Sequence, residues 1–265
     1  MDNNYDYVEK TFNNGLKFEF GEVFEKTFEN YKKIALMGGL ATLVLMIVFT
    51  VITAFLAGII YGFANISAEF INFSENLAKD GSLVIGFLIS TVLLNAVIAP
   101  LYAGFLKMAY NAEKGDPVTF DVIFDYYKTS HFKELFVASL ITTTIGSGIA
   151  LSLKFAGINF VGTLVSYFFA FVFVFVSSLI IFGNLKALDA IKFSVKITLS
   201  RFVLLLAFLI VIVILACLGV IGLCIGIFFT LPIMASGVFC AYNSLIPILS
   251  ENPLDEIGKV DNYKY

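Results

Sequence analysis

The sequence predicts an all-α fold, a polytopic membrane helix bundle of six transmembrane helices arranged as three hairpins, each preceded by a cytoplasmic amphipathic helix. Two observations support it. Of the 265 residues, 59% are apolar and 14% are charged, whereas soluble domains average about 45–50% apolar and about 25% charged residues. Roughly 20 apolar helical residues cross a bilayer core, and five long runs contain no Asp, Glu, Lys, Arg or His: 34–63, 82–106, 135–153, 159–183 and 203–249.

The last run is too long for one crossing and has the length of two crossings with a tight turn. Gly219, Gly222 and Gly226 favour a turn there because glycine adopts the backbone angles that a hairpin needs. A membrane domain is therefore predicted at 18–249, between a flexible cytoplasmic N-terminus (1–17) and a flexible cytoplasmic tail (250–265). The six predicted spans lie at about 34–60, 82–108, 135–154, 159–183, 202–221 and 224–249.

The basic residues predict an orientation. Except for Lys79 and Lys154, every lysine and arginine falls before the first span, between spans two and three, between spans four and five, or after the sixth. Lysine and arginine favour the cytoplasmic side of a membrane. We therefore expect a multi-pass protein of the plasma (inner) membrane with both termini in the cytoplasm. The net charge of −3 gives no support for a nucleic-acid partner.

Three cytoplasmic segments carry apolar residues at helical spacing, which predicts amphipathic helices. Such helices either lie in the interface with their apolar faces toward the acyl chains or pack on the cytoplasmic end of the bundle. The sequence leaves both alternatives open. The candidate interfacial faces consist of Phe20, Phe24 and Phe28 in the first segment, Phe120 and Phe124 in the second, and Ile191 and Val195 in the third.

Two asparagines inside predicted spans are the strongest buried polar candidates: Asn95 in span two and Asn243 in span six. Pro100 and Pro232 each remove one intrahelical hydrogen bond, so the freed carbonyls could line a cavity. The four residues therefore predict either a polar groove that holds a headgroup or small solute, or interhelical hydrogen bonding at a close helix contact.

Several classes of function lack their signals. The predicted spans have no ionisable residue at mid-depth, which weighs against proton pumps and carriers of charged substrates. His131 is the single histidine, and Cys217, Cys224 and Cys240 form no metal or redox motif. Catalytic and phosphate-binding motifs are missing as well. We therefore expect no catalytic activity and no cofactor.

Three stretches carry a resemblance to a known group of proteins. They are the Pro100–Gly104 "P-x-x-x-G" with the following "AYNAEKGDPVTFDVIFDYY", "AIKFSVKITLSRF" at 190–202, and "GIFFTLPIMASGVFCAYNSL" at 226–245. The chain resembles, over most of 18–249, the bacterial six-helix inner-membrane families of unassigned function, which are similar to the membrane domain fused to glycerophosphoryl diester phosphodiesterases. The resemblance implies a six-helix membrane fold. It does not imply phosphodiesterase activity for these residues.

Two functions follow as hypotheses. In the first, the protein binds or organises membrane lipids or partner proteins, including a second copy of itself, through its cytoplasmic amphipathic helices. In the second, it transports a small solute or a lipid through a groove between spans two and six.

Overall fold

The computed structural model describes residues 2–63, 65–77, 81–221 and 228–248, and every regular element in these ranges is a helix. A 3₁₀ helix at Asp121–Tyr127 lies between α4 and α5. The α-helices, in chain order, are α1 (Asp2–Asn13), α2 (Phe20–Tyr61), α3 (Ile66–Leu77), α4 (Gly81–Lys114), α5 (His131–Phe155), α6 (Asn159–Val172), α7 (Val176–Ile181), α8 (Ala187–Ser200), α9 (Phe202–Ile221) and α10 (Thr230–Leu245).

Four helical segments are long and apolar enough to cross a bilayer: Phe20–Tyr61, Gly81–Lys114, His131–Leu153 and Asn159–Ile181. A fifth candidate combines α8 with α9, which meet at a bend of 97°. The chain is therefore a multi-helix membrane protein. A sixth span stays a prediction, because residues 222–227, with two of the proposed turn glycines, lie outside the described residues, as does the 250–265 tail.

The three amphipathic segments take three different forms. The first is not a separate helix: α2 runs unbroken from Phe20 into the first predicted span, since no proline interrupts the pattern. The second is a 3₁₀ helix rather than an α-helix. Only the third, α8, is a separate amphipathic α-helix before a span. The first segment is thus helical but continuous with its span, and the expectation of an amphipathic α-helix is wrong only for the second.

The 3₁₀ helix is held against α4 by close contacts. A Cβ added to Gly104 would lie 2.3 Å from the Ile123 carbonyl oxygen, so glycine permits this approach. Lys107 Nζ lies 2.7 Å from Asp125 Oδ2, and the Tyr127 hydroxyl donates to a carbonyl of α4 at 2.6 Å. These contacts hold the segment against the bundle, with Val122, Ile123 and Tyr126 buried.

The N-terminal segment also differs from expectation. Residues 2–13 form α1, and Val8, Leu16 and Phe18 belong to the hydrophobic core. The Arg201 guanidinium, at the bend between α8 and α9, donates to the Leu16 carbonyl. The apolar side chains between the acidic and basic residues of this segment are therefore used for packing, and 1–17 is not simply a flexible extension.

Helix α10 packs against α2, α4 and α9. The Pro232 ring of α10 lies against Gly38 of α2: a Cβ added to Gly38 would lie 2.8 Å from Pro232 Cγ. One buried side chain joins three helices: Asn30 of α2 donates Nδ2 to the Ala109 carbonyl of α4 at 2.7 Å and accepts from the Ser236 hydroxyl of α10 at 2.8 Å. This polar contact lies among buried residues of α2, α4 and α10.

Candidate functional site

Two adjoining cavities between α4, α5, α6 and α7 form a feature that we call the polar groove. They have volumes of about 270 and 220 Å³ and share Asn95, Thr142 and Phe173. The groove is unusual for a membrane segment because it gathers nine uncharged polar side chains, eight of which carry hydroxyls. These side chains are Thr91, Asn95 and Tyr102 of α4, Ser139, Thr142, Thr143 and Ser147 of α5, Ser166 of α6 and Ser177 of α7.

The spacing along α5 explains why its hydroxyls share one wall. Thr142 and Thr143 follow Ser139 by three and four residues, and Ser147 follows Thr143 by four; residues at this spacing lie on one face of an α-helix. Gly146 belongs to the same face and is buried; a Cβ there would lie 3.4 Å from Phe169 Cβ of α6. Helices α5 and α6 can therefore approach closely while the hydroxyls stay beside the gap.

The groove lies at mid-depth in the predicted spans. Asn95 and Thr143 are near the centres of the charge-free runs 82–106 and 135–153. The lining of α4 extends from Thr91 to Tyr102, which is about 16 Å at 1.5 Å per residue, or more than half of a hydrocarbon core of about 30 Å. Asn95 and Ala170 are exposed, so the groove is open to the side.

Several lining groups bond only within their own helices. Asn95 Nδ2 donates to the Thr91 carbonyl at 2.8 Å, Thr142 Oγ1 to the Ala138 carbonyl at 2.9 Å, and Ser166 Oγ to the Gly162 carbonyl at 3.0 Å. A hydroxyl that donates in this way still has acceptor positions, and an asparagine has two donor and two acceptor positions in its amide. The groove can therefore hydrogen-bond a polar, uncharged group at mid-depth.

One wall of the groove is a broken helix. Between α6 and α7 the helix stops at residues 173–175, and Phe173, Val176 and Ser177 line the groove. Two hydroxyls of α8 satisfy the freed backbone: Ser194 Oγ donates to the Val172 carbonyl at 2.8 Å and accepts from the Phe175 amide at 3.3 Å. Thr198 Oγ1 reaches the same Val172 carbonyl at 3.4 Å. Interrupted helices in membranes are typical of positions beside a cavity.

The four candidate groove residues are not brought together in one cavity. Asn95 lines the polar groove, whereas Pro100 is buried in α4 and Pro232 packs against α2. Asn243 accepts a hydrogen bond from the Ile248 amide at 3.0 Å near the end of α10 and lines a different cavity of about 250 Å³. The groove thus lies between α4 and α5–α7, rather than between spans two and six, because α10 uses its proline face for packing on α2.

The candidate interfacial faces divide between packing and exposure. Phe28 and Phe120 are exposed. The other five residues are partly buried and pack against the hydrophobic core: Phe20, Phe24, Phe124, Ile191 and Val195. Both candidates of the third segment therefore pack on the bundle, as do three of the five in the first two segments.

Helix α8 keeps a free amphipathic surface. Its inner face, which includes Phe193 and Ile197, is buried. Its outer face has an apolar flank with Leu188 at 58% and Leu199 at 49% exposure, and a basic flank with Lys192 and Lys196, both exposed. An interfacial helix requires this division between lipid and water.

Sequence reasoning identified Asn95 but missed the hydroxyls of α5 and the two hydroxyls of α8. The signal for α5 is the cluster of five serine and threonine residues within 139–147 in an otherwise apolar run. Within the described ranges, no group of three or more His, Cys, Asp or Glu residues could hold a metal ion. No protein-family model, curated protein or solved structure matches the chain.

Proposed function

We propose that the protein is a six-span lipid transporter of the plasma (inner) membrane that carries lipids with an uncharged, hydroxyl-bearing headgroup along the polar groove. Its six helices form three hairpins, both termini lie in the cytoplasm, and no catalytic step is involved. The observation that carries the proposal is the continuous row of uncharged polar side chains at mid-depth, in a groove that is open to the surrounding bilayer.

The energetics of headgroup transfer support this role. A hydroxyl or amide moved from water into an apolar medium without a hydrogen-bond partner costs about 2–7 kcal/mol, so a sugar or glycerol headgroup crosses lipid slowly. The groove supplies donors and acceptors over more than half of that distance. Its open side lets the acyl chains remain in the bilayer while the headgroup contacts protein.

The chemistry of the lining also indicates which headgroups are excluded. A charged group at mid-depth is stabilised by an opposite charge or by water, and the lining residues of the groove offer no charged side chain. Anionic phospholipids and ions should therefore be transported poorly. Helix α8, with its lipid-facing and water-facing flanks, would lie in the cytoplasmic interface and bind the lipid surface there, which retains the lipid-binding role inferred for the amphipathic segments.

The test is a flipping assay with purified protein in liposomes. A glucosyl-diacylglycerol with a fluorescent acyl chain is bleached from outside, and the rate at which inner-leaflet lipid becomes accessible is measured. We expect the Asn95→Leu/Thr142→Val double variant to lower the rate about tenfold, as the loss of one or two well-placed hydrogen bonds would.

Thr53→Val is the matched control. Thr53 is an exposed threonine of α2 whose hydroxyl bonds only within its own helix, to the Phe49 carbonyl at 2.8 Å, and it does not line the groove. The control should flip lipid at the wild-type rate. Wild-type protein that is no faster than empty liposomes, or a double variant equal to wild type, would contradict the proposed function.

A further inference from the structure

A second cavity, which we call the end cavity, lies at the end of the bundle where α5 begins. It has a volume of about 480 Å³ and is lined by residues of α1, α5 and α10 and of the segment that follows α7. This is within the range of small-molecule sites in proteins, about 300–1,000 Å³. Its principal side chains are Tyr7, His131, Phe182, Asn184 and Tyr242.

The end cavity continues the walls of the polar groove. Leu135 of α5 lines the groove and His131, one turn earlier, lines the end cavity. Likewise, Ile180 of α7 lines the groove and Ile181, the next residue, lines the end cavity. Because residues four apart lie on one face of a helix, α5 presents a single face to both spaces, and the end cavity lies one helical turn from the end of the groove.

Helix α1 covers the end cavity. The Tyr7 hydroxyl donates to the Pro247 carbonyl at 2.8 Å, which ties α1 to the segment after α10. Tyr5 packs edge-on against Phe193 of α8, with ring centroids 5.2 Å apart. The cavity is therefore roofed by a helix that two separate contacts attach to the bundle.

The lining combines aromatic rings with groups that both donate and accept hydrogen bonds. Tyr242 is 2% exposed, and its hydroxyl lies beside Gly183: a Cβ added to this glycine would lie 3.3 Å from the hydroxyl oxygen. Asn184 adopts a φ of 48°, a backbone conformation that asparagine tolerates better than most residues. His131 lines the cavity with its imidazole ring, whose buried Nδ1 atom has no hydrogen-bond partner among the described residues.

This set of groups matches a sugar. Sugar hydroxyls donate and accept, as the phenol, carboxamide and imidazole groups do, and the apolar C–H face of a sugar ring can lie on an aromatic side chain. No Asp, Glu, Lys or Arg is found among the described residues that line the end cavity, so the lining provides no counter-charge for a phosphorylated or anionic headgroup.

We infer that the end cavity binds the uncharged sugar headgroup of the lipid that the polar groove carries, an inference that rests on the proposed function. Tyr242, Asn184 and His131 hydrogen-bond the sugar hydroxyls, and the end cavity holds the headgroup where it leaves or enters the groove. The groove is thus the path of the headgroup, and the end cavity is its binding site at one end.

The experiment uses a glucosyl-diacylglycerol with a photoreactive diazirine on the sugar, incubated with the full chain in lipid nanodiscs. After illumination, labelled peptides are identified by mass spectrometry. We expect labels both in the groove segment 139–147 and around Tyr242. Tyr242→Phe and Asn184→Gly should each lower labelling of the end cavity about tenfold and leave groove labelling unchanged, whereas Tyr31→Phe, outside both spaces, should change neither.

The second variant guards against misfolding, because glycine adopts positive φ freely and Asn184→Gly removes only the carboxamide. Groove labelling without end-cavity labelling would overturn the inference and leave the proposed function standing. No labelling of either space, together with no flipping, would overturn both. Equal end-cavity labelling by a phosphatidylglycerol carrying the same diazirine would overturn the assignment to an uncharged headgroup.

Discussion

Replacing Asn30 by leucine removes the buried polar contact that joins α2, α4 and α10. Asn30 is 1% exposed; its amide donates to the Ala109 carbonyl at 2.7 Å and accepts from the Ser236 hydroxyl at 2.8 Å. Leucine has a similar shape and can form neither bond. The substitution therefore leaves the Ser236 hydroxyl without this acceptor in a packed, buried position.

The size of the effect follows from the two bonds. Interhelical hydrogen bonds in membrane proteins contribute about 0.6 kcal/mol on average and about 1.7 kcal/mol at most. We therefore expect Asn30→Leu to lower the free energy of unfolding by about 1–3 kcal/mol. The Asn30→Leu/Ser236→Ala double variant should lose less free energy of unfolding than the two single variants lose in sum, because both substitutions remove the same hydrogen bond.

The measurement is reversible unfolding in mixed micelles with increasing dodecyl sulfate. Asn95→Leu is the matched control: Asn95 is exposed, and its amide donates within its own helix to the Thr91 carbonyl. We expect that control to change the free energy of unfolding by no more than about 0.5 kcal/mol. Equal losses for Asn30→Leu and Asn95→Leu, or strict additivity in the Asn30/Ser236 cycle, would refute the reasoning.

Two further substitutions test the packing of the 3₁₀ helix and the position of α8. Gly104→Ala places a Cβ against the Ile123 carbonyl oxygen and should lower the free energy of unfolding by about 1–3 kcal/mol in the same assay. Gly148→Ala is the control: a Cβ there has no neighbouring atom within 4 Å, so stability should stay the same or rise. Similar losses for the two variants would contradict the contact between Gly104 and Ile123. The chain has no tryptophan, so Leu188→Trp creates a single tryptophan. Brominated lipids should quench its fluorescence more strongly than that of the tryptophan in Asp189→Trp, which lies about 100° further around the helix. Equal quenching of the two variants would contradict an interfacial α8.

The long apolar helices could be predicted from the sequence because a run without charges is a signal that depends only on local residues. The second polar wall of the groove could not, because the serine and threonine cluster of α5 does not indicate which helices it faces, and the pairing of α5 with α4 and α6 is a long-range contact. Asn30 was missed for another reason. It lies among the charged residues of the first amphipathic segment, where a polar side chain is expected to face water, yet α10 packs over it.

Local sequence also could not show that Asn243 lies outside the polar groove. Asn95 and Asn243 are both polar residues inside charge-free apolar runs, and the neighbouring sequence gives no feature that distinguishes their environments. The structure separates them by their surroundings: Asn95 faces the polar groove, whereas Asn243 lines a different cavity and accepts a hydrogen bond from the Ile248 amide just beyond α10. Local patterns therefore identify polar side chains at membrane depth, and the helix contacts decide which of them remain available to a ligand.

Helix α8 connects the two functions that the sequence left as alternatives, binding at the cytoplasmic face and transport through a groove. Its outer face carries an apolar and a basic flank, and its inner hydroxyls, on Ser194 and Thr198, hold the backbone at the break between α6 and α7. Its first turn is fixed to α5 as well, since the Ala187 amide donates to the Glu134 carboxylate at 2.8 Å. A displacement of α8 in the plane of the membrane would therefore strain the break that forms one wall of the groove. The proposed binding of lipid at the surface and the proposed passage of lipid through the groove would therefore be coupled through α8.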